Sequence, residues 1–134
     1  MAQLRPFVDT NVLLYLLSDD ARKADLAEAL LCRRIVVSAQ VLNEFANVAR
    51  RKLLLEWPEV VQGLADIRRF AEVRPLTAET HDAGISLARR YQLSVYDAMI
   101  AAAAVEAGCD TLMSEDLQHS LRLLGRLTVR NPFA

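Results

Sequence analysis

Short runs of β-branched and other apolar residues alternate along the chain with longer stretches whose apolar residues recur at helical spacing. Residues 7–8, 35–37, 73–76, 111–114 and 127–129 are typical of strands. The stretches 12–17, 21–31, 39–53, 57–70, 78–91 and 98–105 are typical of helices, and 117–124 is predicted to be partly helical. Pro75 places the third strand at a sheet edge or near a strand start. This alternation predicts an α/β fold with a parallel central sheet and helices on both faces.

Composition limits the class of protein. The 134 residues are 53% hydrophobic and contain only 4 Gly and 4 Pro, which predicts one globular domain over residues 1–134. The net charge of −1 does not by itself indicate a nucleic-acid-binding protein. Of the 16 basic residues only Lys23 and Lys52 are lysines, and the arginine pairs are typical of solvated helix faces.

Cysteines and apolar runs bear on the compartment. Cys32 and Cys109 form no C-x-x-C pattern, which predicts two buried, reduced thiols in a cytoplasmic protein. Residues 1–6 lack a charged region followed by an apolar core, so no secretory signal is expected. The longest apolar run, 98–105, is too short to cross a bilayer, and no membrane association is expected.

Acidic residues follow two of the predicted strands. Asp9 ends the first strand, and Glu115 and Asp116 follow the fourth. Ligands of open parallel sheets bind at the carboxyl ends of strands, so Asp9 and Asp116 would stand side by side if these two strands are neighbours. The alternative is that Asp9 or Asn11 only caps the following helix, and this stretch alone favours neither interpretation.

Two further acids belong to predicted helices. Asp97 lies three residues after Ser94, as in a capping box, and opens a helix that is apolar all round and therefore buried. That burial favours a functional role for Asp97, and the alanine-rich helix also suggests a dimer contact. Glu44 lies on the polar side of the third helix, where a solvated residue is the favoured interpretation and a cleft-lining residue the alternative.

Four converging carboxylates imply a particular chemistry. They repel one another strongly, so such a site needs cations to be tolerable. All-oxygen ligands favour Mg²⁺ or Mn²⁺ over zinc, and the chain has no G-x-x-x-x-G-K or G-x-G-x-x-G motif. A metal-bound water needs no histidine base, so the predicted reaction is hydrolysis of a phosphate ester.

The acidic motifs resemble those of a known family. Residues 7–11 (FVDTN), 41–44 (VLNE), 96–103 (YDAMIAAA) and 112–117 (LMSEDL) are similar, in this order, to the motifs of PIN-domain nucleases. The likeness extends over nearly the whole chain and is strongest to VapC-like toxins of type II toxin-antitoxin pairs. It implies a three-layer α/β/α sandwich and a Mg²⁺- or Mn²⁺-dependent endoribonuclease acting on single-stranded or loop RNA. It also implies a homodimer and a cognate antitoxin protein whose tail occludes the acidic pocket.

The resemblance assigns roles by position. Asp9, Glu44, Asp97 and Asp116 would hold the metal as catalytic residues, with Asn11 and Ser114 as polar support. Glu115 adds an acid beside Asp116, and which of the two points inward stays open. His119 and Ser120 follow where some relatives carry another acid, which would leave a second metal site weak.

Three other classes of protein fit the sequence less well. A haloacid-dehalogenase-like phosphatase needs a second Asp at the position of Asn11, and a receiver-like phosphoacceptor needs a late lysine. A non-catalytic PIN-like RNA-binding module is the third, and the presence of all four acids argues against it. The favoured function is therefore a metal-dependent ribonuclease.

Overall fold

A central sheet of six strands organises the chain, for which a computed structural model describes residues 5–134. The strands are β1 (Phe7–Val8), β2 (Ile35–Ser38), β3 (Ala71–Arg74), β4 (Thr111–Met113), β5 (Arg122–Leu123) and β6 (Leu127–Arg130). Their spatial order is β3-β2-β1-β4-β6-β5, and all neighbouring pairs are parallel except β5 with β6. The predicted α/β fold with a parallel central sheet is confirmed, apart from the antiparallel edge strand β5.

Six helices flank the sheet. They are α1 (Thr10–Leu13), α2 (Ala21–Leu31), α3 (Ala39–Arg51), α4 (Trp57–Phe70), α5 (Ala78–Tyr91) and α6 (Val95–Glu106). Helix α3 packs against α1 and α4, whereas α5 packs along α6, which in turn contacts β2, β4 and β6. The helix predicted after Asn11 is shorter than expected, because a 3₁₀ turn over Leu14–Leu17 follows α1.

Strands β1 and β4 are neighbours at the centre of the sheet. Phe7 pairs with Leu112 and Val8 with Met113. Phe7, Val8 and Leu112 are completely buried, as expected for central parallel strands that are covered on both faces. The condition set for Asp9 and Asp116, that the first and fourth strands are neighbours, is therefore met, and the residues after each strand lie at the same edge.

Helix α6 is buried along most of its length. Every residue from Ala98 to Ala104 is at most 5% exposed within this one chain. Small alanine side chains allow neighbouring elements to approach closely, so the predicted burial is confirmed. The same burial removes the alanine face as a dimer contact, because it is already covered by the chain's own elements. Only the first residues, Val95 and Tyr96, are exposed large apolar side chains of this helix.

Two local predictions were wrong. The third strand lies at 71–74 instead of 73–76, because Pro75 has no N–H to donate and follows the strand; its edge position agrees with the prediction. Residues 117–124 contain no helix and instead turn into β5. Ser120 (φ 71°) and Leu124 (φ 54°) have left-handed backbone conformations that a right-handed helix cannot contain.

The prediction that both cysteines are buried is correct for Cys109 and wrong for Cys32. Cys109 is buried, and this burial raises the pKa of its thiol to about 11. Cys32 is exposed, because it caps the C-terminal end of α2 beyond the last buried turn. Among the helices of residues 5–134, none combines the length and the apolar character needed to cross a membrane. The secretory-signal prediction rests on residues 1–6, of which the first four lie outside the described part.

The contact of α5 with α6 gives a test of the packing. A Cβ atom at Gly84 would lie 2.4 Å from Met99 Sδ and 2.8 Å from its Cε. We expect Gly84→Val to lower the free energy of unfolding by about 1–3 kcal/mol through overpacking. In a Met99→Ala background this loss should shrink. Urea denaturation of the unaltered protein, the two single variants and the double variant would measure the difference. Equal losses in both backgrounds would contradict this close approach of the helices.

Candidate active site

Acidic residues from four separate segments line one cavity beyond the carboxyl ends of β1 and β4. The cavity has a volume of about 390 Å³. Its acidic lining residues are Asp9 after β1, Glu44 on α3, Asp97 on α6 and Asp116 after β4. We name it the acidic cavity. Its position agrees with the rule that open parallel sheets bind ligands where their strands end.

Asp9 is the most buried of the four acids. Only 4% of its surface is exposed, and its Oδ1 accepts a hydrogen bond from the backbone N–H of Thr10 (2.7 Å). This bond caps α1, so the capping interpretation is correct in part. The residue also lines the acidic cavity. The two interpretations considered for Asp9 are therefore compatible.

Ser114 and Asn11 hold the second oxygen of Asp9. Ser114, which is fully buried at the end of β4, donates from Oγ to Asp9 Oδ2 (3.0 Å). The side-chain amide of Asn11 also donates to Asp9 Oδ2 (3.4 Å). Both residues are thus placed as the sequence suggested, in contact with the first acid. Their effect is to orient its carboxylate.

Glu44 lies at the cavity and not on a solvated face. It is half-buried, its Oε2 accepts from Thr10 Oγ1 (3.0 Å) and its Oε1 from Gln40 Nε2 (2.8 Å). The favoured solvated interpretation was wrong, because α3 directs this side chain toward α1 and Thr10. Thr10 therefore connects two acids, since its N–H contacts Asp9 and its hydroxyl contacts Glu44.

Asp97 forms only half of a capping box. Its backbone N–H donates to Ser94 Oγ (3.1 Å), so Ser94 caps α6 as predicted. No hydrogen bond from the Ser94 backbone to the Asp97 carboxylate occurs in the described structure. The half-buried carboxylate instead lines the acidic cavity.

Glu115 and Asp116 point to different places. Glu115 accepts hydrogen bonds from Tyr15 Oη (2.7 Å) and Lys23 Nζ (3.0 Å), outside the acidic cavity. Partial burial raises the pKa of Glu115, but these two hydrogen bonds outweigh it and hold the pKa below its usual range. Asp116 is exposed and lines the acidic cavity. Of the two adjacent acids, Asp116 is therefore the one at the candidate site.

The electrostatics of the cavity act mainly on Asp9. Burial raises the pKa of this carboxyl from 3.8 to about 6, against the hydrogen bonds from Ser114 and Thr10, which lower it. The charges of Glu44 and Asp97 raise it further. Among the described residues, none of the four acids takes part in an ion pair. The acidic cavity therefore holds negative charge that no protein cation neutralises by direct contact.

The donor set fits a hard divalent cation. All four acidic side chains offer oxygen. Asp9 is buried with no cationic partner among the described residues, and a metal ion would serve as that partner. Among residues 5–134, no three Asp, Glu, His or Cys side chains form a closed cluster of metal ligands. The carboxylates are instead spaced around the cavity, as in sites where water completes the coordination shell of Mg²⁺.

Sequence reasoning missed several residues of the site. Thr10 and Gln40 hold Glu44, and Asn47 and Lys52 line the acidic cavity. Helical spacing was the available signal for Lys52, because positions 44, 48 and 52 share one face of a helix. Lys52 therefore places a lysine beside the acids.

Comparison of the sequence with family models identifies the class of protein. The PIN domain model matches residues 7–122, which is most of the chain, and includes all four acids. The chain belongs to the PIN domain family. No curated protein sequence matches it significantly.

Solved structures with the same fold include several bacterial toxins. A toxin-antitoxin complex from Klebsiella pneumoniae superimposes with a TM-score of 0.72 at 19% identity, covering 95% of this chain and 97% of that one. VapBC2 from Rickettsia felis, bound to promoter DNA, gives 0.71 at 18% identity, covering 96% and 98%. VapC20 from Mycobacterium tuberculosis, a sarcin-ricin loop cleaving toxin, gives 0.66 at 24% identity, covering 82% and 88%. At these identities the likeness establishes the fold.

The raised pKa of Asp9 predicts a pH dependence of stability in metal-free protein. The folded state binds the proton more tightly than the unfolded state, so the free energy of unfolding should fall as the pH rises from 3.8 to about 6. The loss is of the order of 3 kcal/mol. We expect Asp9→Asn to lack this decrease and to be at least as stable as the unaltered protein at pH 7.5.

Urea denaturation in chelator at pH 4.5 and 7.5 would test this expectation, since other carboxyl groups contribute equally to both proteins. A large loss of stability in Asp9→Asn at both pH values would contradict it. That result would make capping of α1 the main role of Asp9.

Proposed function

We propose that this chain is a metal-dependent endoribonuclease of the VapC type that hydrolyses phosphodiester bonds in single-stranded or loop RNA. The observation that carries the proposal is the convergence of Asp9, Glu44, Asp97 and Asp116 on one cavity within a PIN domain. PIN-domain nucleases generally use divalent metal ions. Among the described residues none of these acids has an ion-pair partner, and a bound cation would offset their mutual repulsion.

Asp9, Glu44, Asp97 and Asp116 would hold the cation, Mg²⁺ or Mn²⁺. When bound, it lowers the pKa of water and neutralises phosphate charge, which is the chemistry that hydrolysis needs. The protein orients the carboxylates that would bind the cation. Asn11 and Ser114 fix one oxygen of Asp9.

Thr10 orients two of these carboxylates. Its N–H fixes the other oxygen of Asp9, and its hydroxyl fixes Glu44. Such partners of ligand residues restrict the rotamers of the carboxylates and so reduce the cost of ordering them around a cation. The site is thus partly organised before any cation binds.

A protein partner follows from the same proposal. Structural neighbours include a toxin-antitoxin complex and VapBC assemblies, which supports a cognate antitoxin for this chain. Its tail would occlude the acidic cavity. We also propose a cytoplasmic homodimer of a single domain, residues 1–134. Leu54, Trp57 and Val61 are exposed near the start of α4 and provide apolar surface for a second copy.

Cleavage of RNA tests the function directly. The purified protein would be incubated with single-stranded and hairpin RNAs in Mg²⁺, Mn²⁺ or chelator. We expect metal-dependent cutting that falls by about 100-fold or more in Asp97→Asn, since losing a ligand should cost at least as much as losing a residue that supports one. Glu106→Gln is a matched control, because Glu106 is an exposed acid at the other end of α6. It should cut like the unaltered protein.

Calorimetric titration with Mn²⁺ accompanies the cleavage assay. Binding that is weakened by Asp97→Asn but not by Glu106→Gln supports the metal site even where the RNA panel contains no substrate. Failure to bind Mn²⁺ would overturn the proposal in favour of a non-catalytic RNA-binding module.

The division between Glu115 and Asp116 gives a separate test. We expect Asp116→Asn to lower the cleavage rate at least about tenfold, because that side chain lines the acidic cavity. Glu115→Gln should keep most of the activity, since Tyr15 and Lys23 hold Glu115 elsewhere. The reverse pattern in a cleavage time course would show that Glu115 is the metal ligand.

A further inference from the structure

A second cavity adjoins the acidic cavity. Its volume is about 540 Å³, within the roughly 300–1,000 Å³ of small-molecule sites. Asn11, Leu14, Val48 and Lys52 line both cavities, so the two cavities share one boundary. A nucleic-acid strand bound in the acidic cavity would reach the second cavity by passing these four residues.

The walls of the second cavity are mainly apolar. Leu14, Leu17, Val48 and Leu53 line it together with the ring of Tyr15. Its polar lining residues are Asn11, Ser18, Asp19, Lys52 and Glu115. A nucleobase has this same division, because its faces are apolar and its edges carry hydrogen-bonding groups. The cavity is large enough for a base, and its walls show the same division between apolar and polar groups.

Tyr15 is held firmly in the wall. Its hydroxyl donates to Glu115 (2.7 Å) and accepts from Lys23 (3.1 Å). Its ring packs edge-on against Phe133, with the ring centroids 4.8 Å apart. A base that contacts this ring would not have to order the side chain on binding, which removes one cost of association.

Lys52 lies at the boundary between the cavities. Among the described residues that line either cavity it is the only basic one, and it takes part in none of their ion pairs. The acidic cavity repels the phosphates of a nucleic acid. An ammonium group at its rim offsets that repulsion and offers donors to phosphate oxygens.

We propose that the second cavity is a nucleobase subsite for the nucleotide next to the scissile bond, and that Lys52 binds the phosphate at the boundary. This inference rests on the proposed ribonuclease function, since it places one end of the RNA in the acidic cavity. It adds a substrate feature, namely an unstacked base beside the cleavage point.

Asp19 makes the subsite selective. Its ionised carboxylate only accepts hydrogen bonds, so it favours a base edge that carries an amino group. Cytosine and uracil form a matched pair, because cytosine has an amino donor where uracil has a carbonyl acceptor. Cytosine should therefore bind more tightly than uracil, and Asp19→Asn should reduce the difference.

Nuclear magnetic resonance on the metal-free full chain tests the subsite without any cleavage. The probes are CMP, UMP and ribose 5-phosphate, added in chelator to ¹⁵N-labelled protein. We expect CMP to shift the amide signals of Leu17, Ser18 and Leu53. Ribose 5-phosphate should bind about tenfold more weakly, because it lacks the base. Equal affinity for CMP and ribose 5-phosphate, or shifts confined to other surfaces, would overturn the base subsite.

Two variants test the phosphate contact. Lys52→Gln should weaken CMP binding about fivefold, as expected for the loss of one exposed ion pair. Arg51→Gln is the matched control, since Arg51 is the adjacent exposed cation and lines neither cavity. Equal effects of the two variants would reduce Lys52 to a general contribution of charge and overturn its assignment.

Failure of the base subsite can be distinguished from failure of the proposed ribonuclease function. Loss of cleavage in every RNA together with loss of Mn²⁺ binding refutes the ribonuclease. Metal-dependent cleavage together with no CMP-induced shifts in the second cavity refutes the subsite alone. That result would favour an apolar side chain of a protein partner as the occupant of the second cavity.

Discussion

The burial of one carboxylate is the constraint on which the site depends. Asp9 follows β1 in the middle of the sheet, where water is largely excluded and no cation from residues 5–134 pairs with it. An ionised group in such a place must be held by hydrogen bonds or by a bound cation. The backbone of Thr10 and the side chains of Asn11 and Ser114 provide the former. These hydrogen bonds do not fully offset the cost of burying the charge, so the pKa of Asp9 stays above its usual value.

This constraint explains why structural and functional roles coincide. Helix α1 has a single turn, and its first amide takes only one oxygen of Asp9. The other oxygen reaches Ser114 on the neighbouring strand. Asp97 also combines the two roles, because its backbone N–H donates to the N-cap residue of α6 and its carboxylate lines the acidic cavity. Capping positions at strand ends thus place acids at a site without extra loops.

Charge is arranged in two zones beside each other. Four acids surround one cavity, whereas apolar side chains and Lys52 border the next. The hydrogen bonds from Tyr15 and Lys23 remove Glu115 from the first zone and fix Tyr15 in the wall of the second. These contacts therefore limit the number of acids at the proposed cation site and stiffen the proposed subsite for a base. In the proposed complex, Lys52 contacts a phosphate of the RNA and the apolar walls contact a base.

Local sequence alone determined the order of the strands and helices as far as β4, the alternation that makes the sheet parallel, and the positions of Asp9 after a strand and Asp97 at a helix start. These features depend on residues close in the chain, such as the run Phe7-Val8 before Asp9 or the cap of Ser94 on α6. Tertiary structure decided the rest. It turned Glu44 into the cavity through Thr10, separated Glu115 from Asp116 through Lys23, and paired 122–123 as an antiparallel edge strand. Each of these outcomes depends on partners far apart in the chain, which no local propensity encodes.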